Sequence, residues 1–520
     1  MELDNGDPYG SRDQPLSRDE HPWLAERNPT RLDAEHAHQP LDPAFVLSFR
    51  HAIAEEASND VVYLDDNIES LISSTSATTD LFYPLTLTPA LPDLPSGITL
   101  EQLLEAFRSN VHRRMPLIHY IPIESIDQTH SPGYLAYSMA ALGSLTVPNA
   151  TSAAHSLWST ARSLITASLE VDNREARKPS LITAWVIMAT YGALCADETS
   201  WHQMNVCHGY VVTAARRLYH SLNSDSRWYV FHHSSGQDDT QSTYKNSNTM
   251  QALLLADVLR SVHYNSPLAV PTLEYLSGPA DFQSSSLRIY RSLVLEGQPP
   301  PKEYTGDGPL IALVAMLADI HTFTQFFYPL SLGGETIDSS SADASLDFQT
   351  PFVPLSIKNE SRLVSKRLQK SLDLWASAYM SVCSADEKVL YYLCKMYIAL
   401  PSMQVLPALA KYTPRMTRDG LAPDQSSDTV DMDLKKTPEA QTYAWRILDL
   451  VDHRQGLATC WLPIAVFYAC LVVWRASELS LGDASQGSRK VMLLFRQELT
   501  KMGWPCCGVM VEAIDNLRAQ

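Results

Sequence analysis

From Thr99 onward, apolar side chains recur three and four positions apart, and nowhere do several alternating apolar–polar runs follow one another. That spacing puts the apolar groups on one face of a 3.6-residue helix and rules out a sheet-built core. The chain therefore reads as all-α and multi-helical. Thr99-Leu-Glu-Gln102 has the form of a capping box, with Ile98 placed to staple onto Leu103. Leu100, Leu103, Leu104, Phe107 and Val111 supply the first stripe. Ser131-Pro132 marks a second start. Its stripe is Leu135, Met139 and Leu142, with Ala136, Ala140 and Gly143 small enough for close helix contact. Leu157, Ala161, Leu164 and Ile165 define a third helix. Pro179-Ser180 opens the apolar run Leu181–Cys195, and Cys207, Tyr210, Val211, Ala214 and Leu218 give the next helix. A polar stretch, Asn223–Thr249, interrupts the pattern. Helices are expected again near 250–264, 309–328, 360–380, 386–400, 438–455, 460–478, 488–501 and 507–518.

Charge divides the chain unevenly. Residues 1–70 hold sixteen Asp/Glu against five Arg, and the first Lys is Lys178, although the whole chain stands at −18. Residues 1–97 therefore read as a mostly disordered acidic segment, unsuited to gripping phosphate. An ordered body is expected over 98–330 and a helical continuation of it over 331–520. The Ser/Asp/Gly/Pro-rich stretches 331–350 and 413–437 read as mobile loops. None of the eight cysteines forms a C-x-x-C pair, and most sit in apolar runs, which suits free core thiols in a reducing compartment. The N-terminus has no apolar signal region. Leu181–Cys195 and Trp461–Trp474, at fifteen and fourteen residues, fall short of the ~18 that cross a bilayer, so the chain reads as soluble, with no membrane partner.

The sharpest enzymatic pattern is Asp65-Asp66-Asn67-Ile68-Glu69. Carboxylates on one helical turn can hold Mg²⁺ against a diphosphate, as in helical terpene cyclases. That reading needs a second metal-binding set on a facing helix, and none is found. A solvated acidic segment is the plain alternative. A third is an acidic–apolar interaction segment that folds on a partner: Asp65, Asp66, Ile68, Glu69, Leu71, Ile72, Asp80, Leu81, Phe82 and Tyr83. His202, Cys207 and His208 lack the i,i+4 or C-x-x-C spacing of zinc sites, and His232-His233 lies in polar sequence. Nucleophile-elbow, phosphate-loop, dinucleotide and H-E-x-x-H motifs are absent. No catalytic residue, cofactor or metal site is expected. Arg362, Lys366, Arg367 and Lys370 put four cations on one helical face, readable as a phosphate-binding stripe or as the wet side of an amphipathic helix.

Between Glu101 and Leu222 the residues carry a family resemblance. Phe107-Arg-Ser-Asn-Val-His112-Arg-Arg-Met-Pro116-Leu-Ile-His119 resembles the opening of the fungal-specific transcription factor domain, the middle homology region. Tyr134–Gly143 resembles its Ala-rich helix ending in Leu-Gly, and Ser180–Gly192, with Trp185, its helix ending in Tyr-Gly. His208–Leu218, with Arg216 and Arg217, resembles its Ala…Ala-x-Arg-x-Leu helix, and Ala256-Asp-Val-Leu-Arg260 stands where the family has an acidic-x-x-x-Arg helix. The resemblance implies an all-α regulatory domain over 98–330 in a nuclear transcriptional regulator of a metabolic or secondary-metabolite gene cluster. It implies a protein partner or homodimer, with the small-molecule effector unspecified. Family members usually begin with a zinc cluster or zinc fingers, but residues 1–194 contain no cysteine. Direct DNA contact is therefore not expected of this chain alone; a DNA-bound partner, or a finger on a segment outside it, would supply it. The alternatives are an all-α ligand- or partner-binding protein without a promoter role, and a helical biosynthetic enzyme using the Asp65–Glu69 motif.

Overall fold

Thr99 caps the first described helix as its capping box demands. Its hydroxyl accepts from the Gln102 amide at 3.3 Å and the Gln102 side chain accepts from the Thr99 amide at 3.1 Å. In the computed structural model the described residues are 94–112, 133–171, 176, 178–196, 198–223, 239–276, 285–300, 306–327, 357–412, 423–452, 458–481 and 486–519. Among them are seventeen α-helices and no strand. The predicted segment 1–97 lies outside them except for its last four residues, and the predicted loop 331–350 lies wholly outside.

The first helices are α1 (Leu100–Ala106), α2 (Gly133–Ser144), α3 (Thr151–Val171), α4 (Pro179–Leu194) and α5 (Glu198–Asn223). There follow α6 (Asp239–Tyr264), α7 (Thr272–Leu276), α8 (Ser285–Tyr290) and α9 (Gly308–Thr322). The remainder are α10 (Ile357–Tyr379), α11 (Ala385–Ala399), α12 (Leu406–Leu409), α13 (Pro423–Lys436), α14 (Glu439–Asp452), α15 (Leu462–Leu481), α16 (Gln486–Lys501) and α17 (Pro505–Ala519). Helix α2 packs on α1, α3 and α4; α6 lies between α4 and α9; α9 meets α8, α10 and α11. The path continues through α14, α15, α16 and α17, and α17 returns to α4. All these residues fall in one compact unit, Arg50–Gln520.

Four large aromatics bind this path together, each burying a broad ring while its one polar group finds a carbonyl. Trp375 Nε1 donates to Pro309 O at 2.9 Å, Trp461 Nε1 to Asp386 O at 2.9 Å and Trp504 Nε1 to Ala458 O at 2.8 Å. Tyr468 Oη donates to Val262 O at 3.1 Å, joining α15 to α6. The eight cysteines are free and six are buried.

Two sequence expectations are corrected. Helix α6 begins at Asp239, inside the polar stretch read as an interruption. No proline breaks Asp239–Thr249, so the turns continue ahead of the apolar face. Within the predicted loop 413–437, α13 runs from Pro423 to Lys436. Its apolar signal is thin, but Val430 and Leu434 are buried four residues apart. Asp431 accepts twice from Arg475 at 2.7 and 2.8 Å, and Asp433 accepts from Ser402 at 2.7 Å.

Helical segments also outlast the apolar runs seen in sequence. Gly308–Phe326 and Leu462–Leu479 are long and apolar enough to cross a membrane by length and composition, and 72% and 78% of them is buried inside this fold.

Gly143 shows how closely the first helices approach. A Cβ there would stand 2.3 Å from Leu103 O and 2.9 Å from Phe107 N, both backbone atoms that cannot swing aside. Gly143→Ala is therefore expected to lower stability by about 2 kcal/mol, the scale of an overpacked core. An unchanged urea midpoint would show that α1 and α2 can separate freely.

Candidate functional site

Helix α6 carries Asp257 and Arg260, an i,i+3 pair in a stretch that is otherwise almost wholly apolar from Leu253 to Val262. A charge so placed must be neutralised or hydrogen-bonded, since burying it bare costs far more than the fold can supply. The Asp257 side chain is 0% exposed and accepts from four donors. His208 Nε2 lies 2.8 Å from Oδ1 and Arg260 Nη2 2.9 Å from the same oxygen. The Ala269 amide and the Tyr275 hydroxyl each reach Oδ2 at 3.0 Å. Burial pushes the carboxyl pKa up, but the His208 hydrogen bond and the charges of His208 and Arg260 outweigh it, leaving Asp257 below the usual carboxylate range.

Arg260 spreads the network outward. Nη1 donates to Asn205 Oδ1 at 2.7 Å and to Ser266 Oγ at 2.9 Å, and Nη2 to Pro267 O at 2.8 Å. One ion pair on α6 thus holds α5, α7 and the 265–271 connection. His321 on α9 continues it. Its Nε2 lies 2.8 Å from Ser266 O, a carbonyl that only accepts, so Nδ1 is the acceptor facing Tyr397 Oη at 2.8 Å. Thr324 Oγ1 and Gln404 Oε1 stand 3.0 and 3.2 Å from the same phenol. Burial pushes His321 down to about 4.

A second set lies one turn further along α6. His263 Nε2 is 2.8 Å from Tyr412 Oη, and Tyr264 donates to Gly192 O at 3.3 Å while its ring centroid lies 4.0 Å from that of Trp201. Burial pushes His263 down to about 4 as well. On α9, the Asp319 carboxylate accepts from Thr272 at 2.7 Å and from Tyr290, and burial pushes it up to about 6 against those two bonds.

Chemically this centre is a lock. Each Asp257 oxygen accepts twice and one His321 nitrogen faces a phenol, while His208 Nδ1 and His263 Nδ1 are buried with no hydrogen-bond partner among the described residues. Among the described residues no group of three or more His, Cys, Asp or Glu is placed to hold a metal ion.

The sequence-derived positions map onto separate helix contacts. Phe107 is 0% exposed and lies under Gly143, joining α1 to α2. Trp185 is buried on α4, and Gly192 faces Met204 of α5 at ordinary contact distance. Arg216 meets Glu274 two-pronged, through Nε and through Nη2 at 2.9 Å. The Arg217 backbone lies in α5. Pro116, His119 and the whole segment Asp65, Asp66, Ile68, Glu69, Leu71, Ile72, Asp80, Leu81, Phe82, Tyr83 lie outside the described residues. Of the three residues weighed as metal ligands, His202 is exposed and Cys207 half-buried, while His208 belongs to the lock. Sequence reasoning missed that role; the signal was the Asp257–Arg260 pair, which required a buried partner.

Helices α4 and α5, which this centre touches, lie within the stretch that carries the family signal. Residues 104–238, about a quarter of the chain, match the model of the Fungal specific transcription factor domain. No curated protein and no solved structure matches the chain.

Proposed function

We propose that this chain is a fungal transcriptional regulator that works in the nucleus on a metabolic or secondary-metabolite gene cluster. The observation that carries this reading is the family match across residues 104–238, which spans α1 to α5. The polar centre holds helices in register with its buried charges, which suits a regulatory body. With no cysteine before Cys195, the N-terminal residues supply no zinc-binding thiolate. We therefore assign promoter contact to a DNA-bound protein partner or to a zinc finger on a segment outside these residues. Deleting the gene is expected to silence a contiguous set of neighbouring genes in a transcript profile. Chromatin recovered with the tagged chain should be enriched in their promoters. Unchanged transcripts would end this reading and favour a helical partner-binding protein without a promoter role.

A further inference from the structure

In a chain at −18, one surface runs the other way. Helix α10 exposes Arg362, Lys366, Arg367 and Lys370, and the neighbouring segment α8 with its π-helical extension Arg291–Glu296 exposes Arg288 and Arg291. The two elements touch: Ser371 Oγ lies 2.8 Å from Leu293 O, and Lys370 Nζ stands 3.2 Å from where a Gly297 Cβ would be. Together Ser285–Glu296 and Ile357–Tyr379 hold seven Lys/Arg against three Asp/Glu. One of those three, Asp373, is paired with Lys395. None of the six exposed cations is paired with a carboxylate among the described residues. Two large apolar side chains stand exposed among them, Leu363 at 58% and Leu295 at 52%.

A face of unpaired cations interleaved with wet leucines fits a ligand carrying both carboxylates and apolar groups. A phosphate backbone would neutralise the cations and leave Leu363 and Leu295 wet. The chain's overall negative charge would also repel such a polyanion in trans. The chain itself carries the complementary chemistry. No Lys or Arg occurs between Arg50 and Arg108, while Asp65, Asp66, Glu69 and Asp80 alternate with Ile68, Leu71, Ile72, Leu81 and Phe82. The described residues begin at 94, eleven residues after Tyr83 and twenty-nine after Asp65. At about 3.4 Å per residue that tether reaches roughly 37 and 99 Å, beyond the roughly 22 Å radius of gyration expected for a body of this size. Tethering holds the segment at an effective concentration of about a millimolar.

We propose that the acidic–apolar segment Asp65–Tyr83 docks in cis on this face, carboxylates against Arg362, Lys366, Arg367 and Lys370, apolar side chains against Leu363 and Leu295. The docking does not depend on the chain being a transcriptional regulator, so it stands or falls separately from the gene-deletion result.

Hydrogen exchange of the full chain, read by mass spectrometry, tests it. Peptides covering 65–83 should exchange more slowly than their intrinsic rates. High salt, or K366E/R367E/K370E, should speed them at least fivefold, the scale set by about three exposed charge pairs. The second variant, D65N/D66N/E69Q, changes no described residue and should give the same acceleration, so loss of folding cannot mimic the result. Intrinsic exchange in the unaltered chain, or exchange unmoved by either variant, overturns the proposal. So does protection that grows with protein concentration, which would assign the face to a second copy. Salt-sensitive capture of a short random DNA duplex, lost in K366E/R367E/K370E while 65–83 exchange stays unchanged, overturns it in favour of nucleic acid.

Discussion

Asp257→Ala is expected to destabilise the chain by about 3–5 kcal/mol, because it strands Arg260 and His208 in the interior without their shared carboxylate. The guanidinium keeps Asn205, Ser266 and Pro267 as partners, but none of these carries a compensating charge. Asp257→Asn should cost less, since the amide oxygen can still accept. The double variant Asp257→Leu with Arg260→Met should lose less than the sum of the two single changes, as contacting members of one ion pair do. Urea denaturation of the unaltered chain, the four single variants (Asp257→Ala, Asp257→Asn, Asp257→Leu and Arg260→Met) and the double variant measures this. A loss below about 1 kcal/mol for Asp257→Ala would mean the pair merely decorates α6 and holds nothing.

Acidification is the second large effect, and its sign follows from two buried imidazoles and a half-buried carboxyl. His263 and His321 are pushed by burial to about 4, so the unfolded chain, with imidazoles near 6.5, takes up protons first. Each therefore withdraws up to about 3 kcal/mol of stability as pH falls from 6.5 to 4. Asp319 opposes them. Its carboxyl is raised to about 6, so the folded state gains on the unfolded one as pH drops from 6 towards the ordinary carboxylate range. That gain, discounted for partial exposure, is about 1–2 kcal/mol, and the balance is a net loss of several kcal/mol across this window. The lowered Asp257 adds its own loss only at still lower pH, once its carboxylate is protonated. Asp319→Asn should then stabilise the chain at pH 7.5 by about 1 kcal/mol and steepen its acid loss. Thermal unfolding followed from pH 8 to 4 should show both. A flat profile from pH 6.5 to 4 would show that the two imidazoles are not neutral and enclosed.

Helical type and placement were legible wherever the signal was local. Thr99 and Gln102 cap α1 as their spacing requires, and Gly143 sits where small residues were read as a close contact. Signals diluted by composition were lost. Helix α13 shows few apolar residues in a Ser/Asp-rich stretch, and it is fixed by Arg475 and Ser402, which lie far away in sequence. The polar centre was unreadable for the same reason: Asp257 meets His208 across 49 positions and Ala269 across 12, distances that helical periodicity does not encode. His208 lacks the spacing of a zinc ligand, and its partner Asp257 lies too far along the chain for local spacing to point to it. The acidic–apolar segment is an expectation from composition and lies outside the described residues, and the face proposed for it depends on α10 lying beside Leu293.

Helix α6 faces both halves of the polypeptide, and this has a consequence for synthesis. The contacts of Asp257 close within residues 208–275, whereas His263 waits for Tyr412, 149 positions later, and Val262 for Tyr468, 206 positions later. At about 5–20 residues per second, a ribosome leaves the last turn of α6 uncovered for roughly 10–40 s while the turn just before it, which holds Asp257, is already pinned. That interval is when a nascent chain of this kind would be most dependent on a chaperone to shield the bare surface.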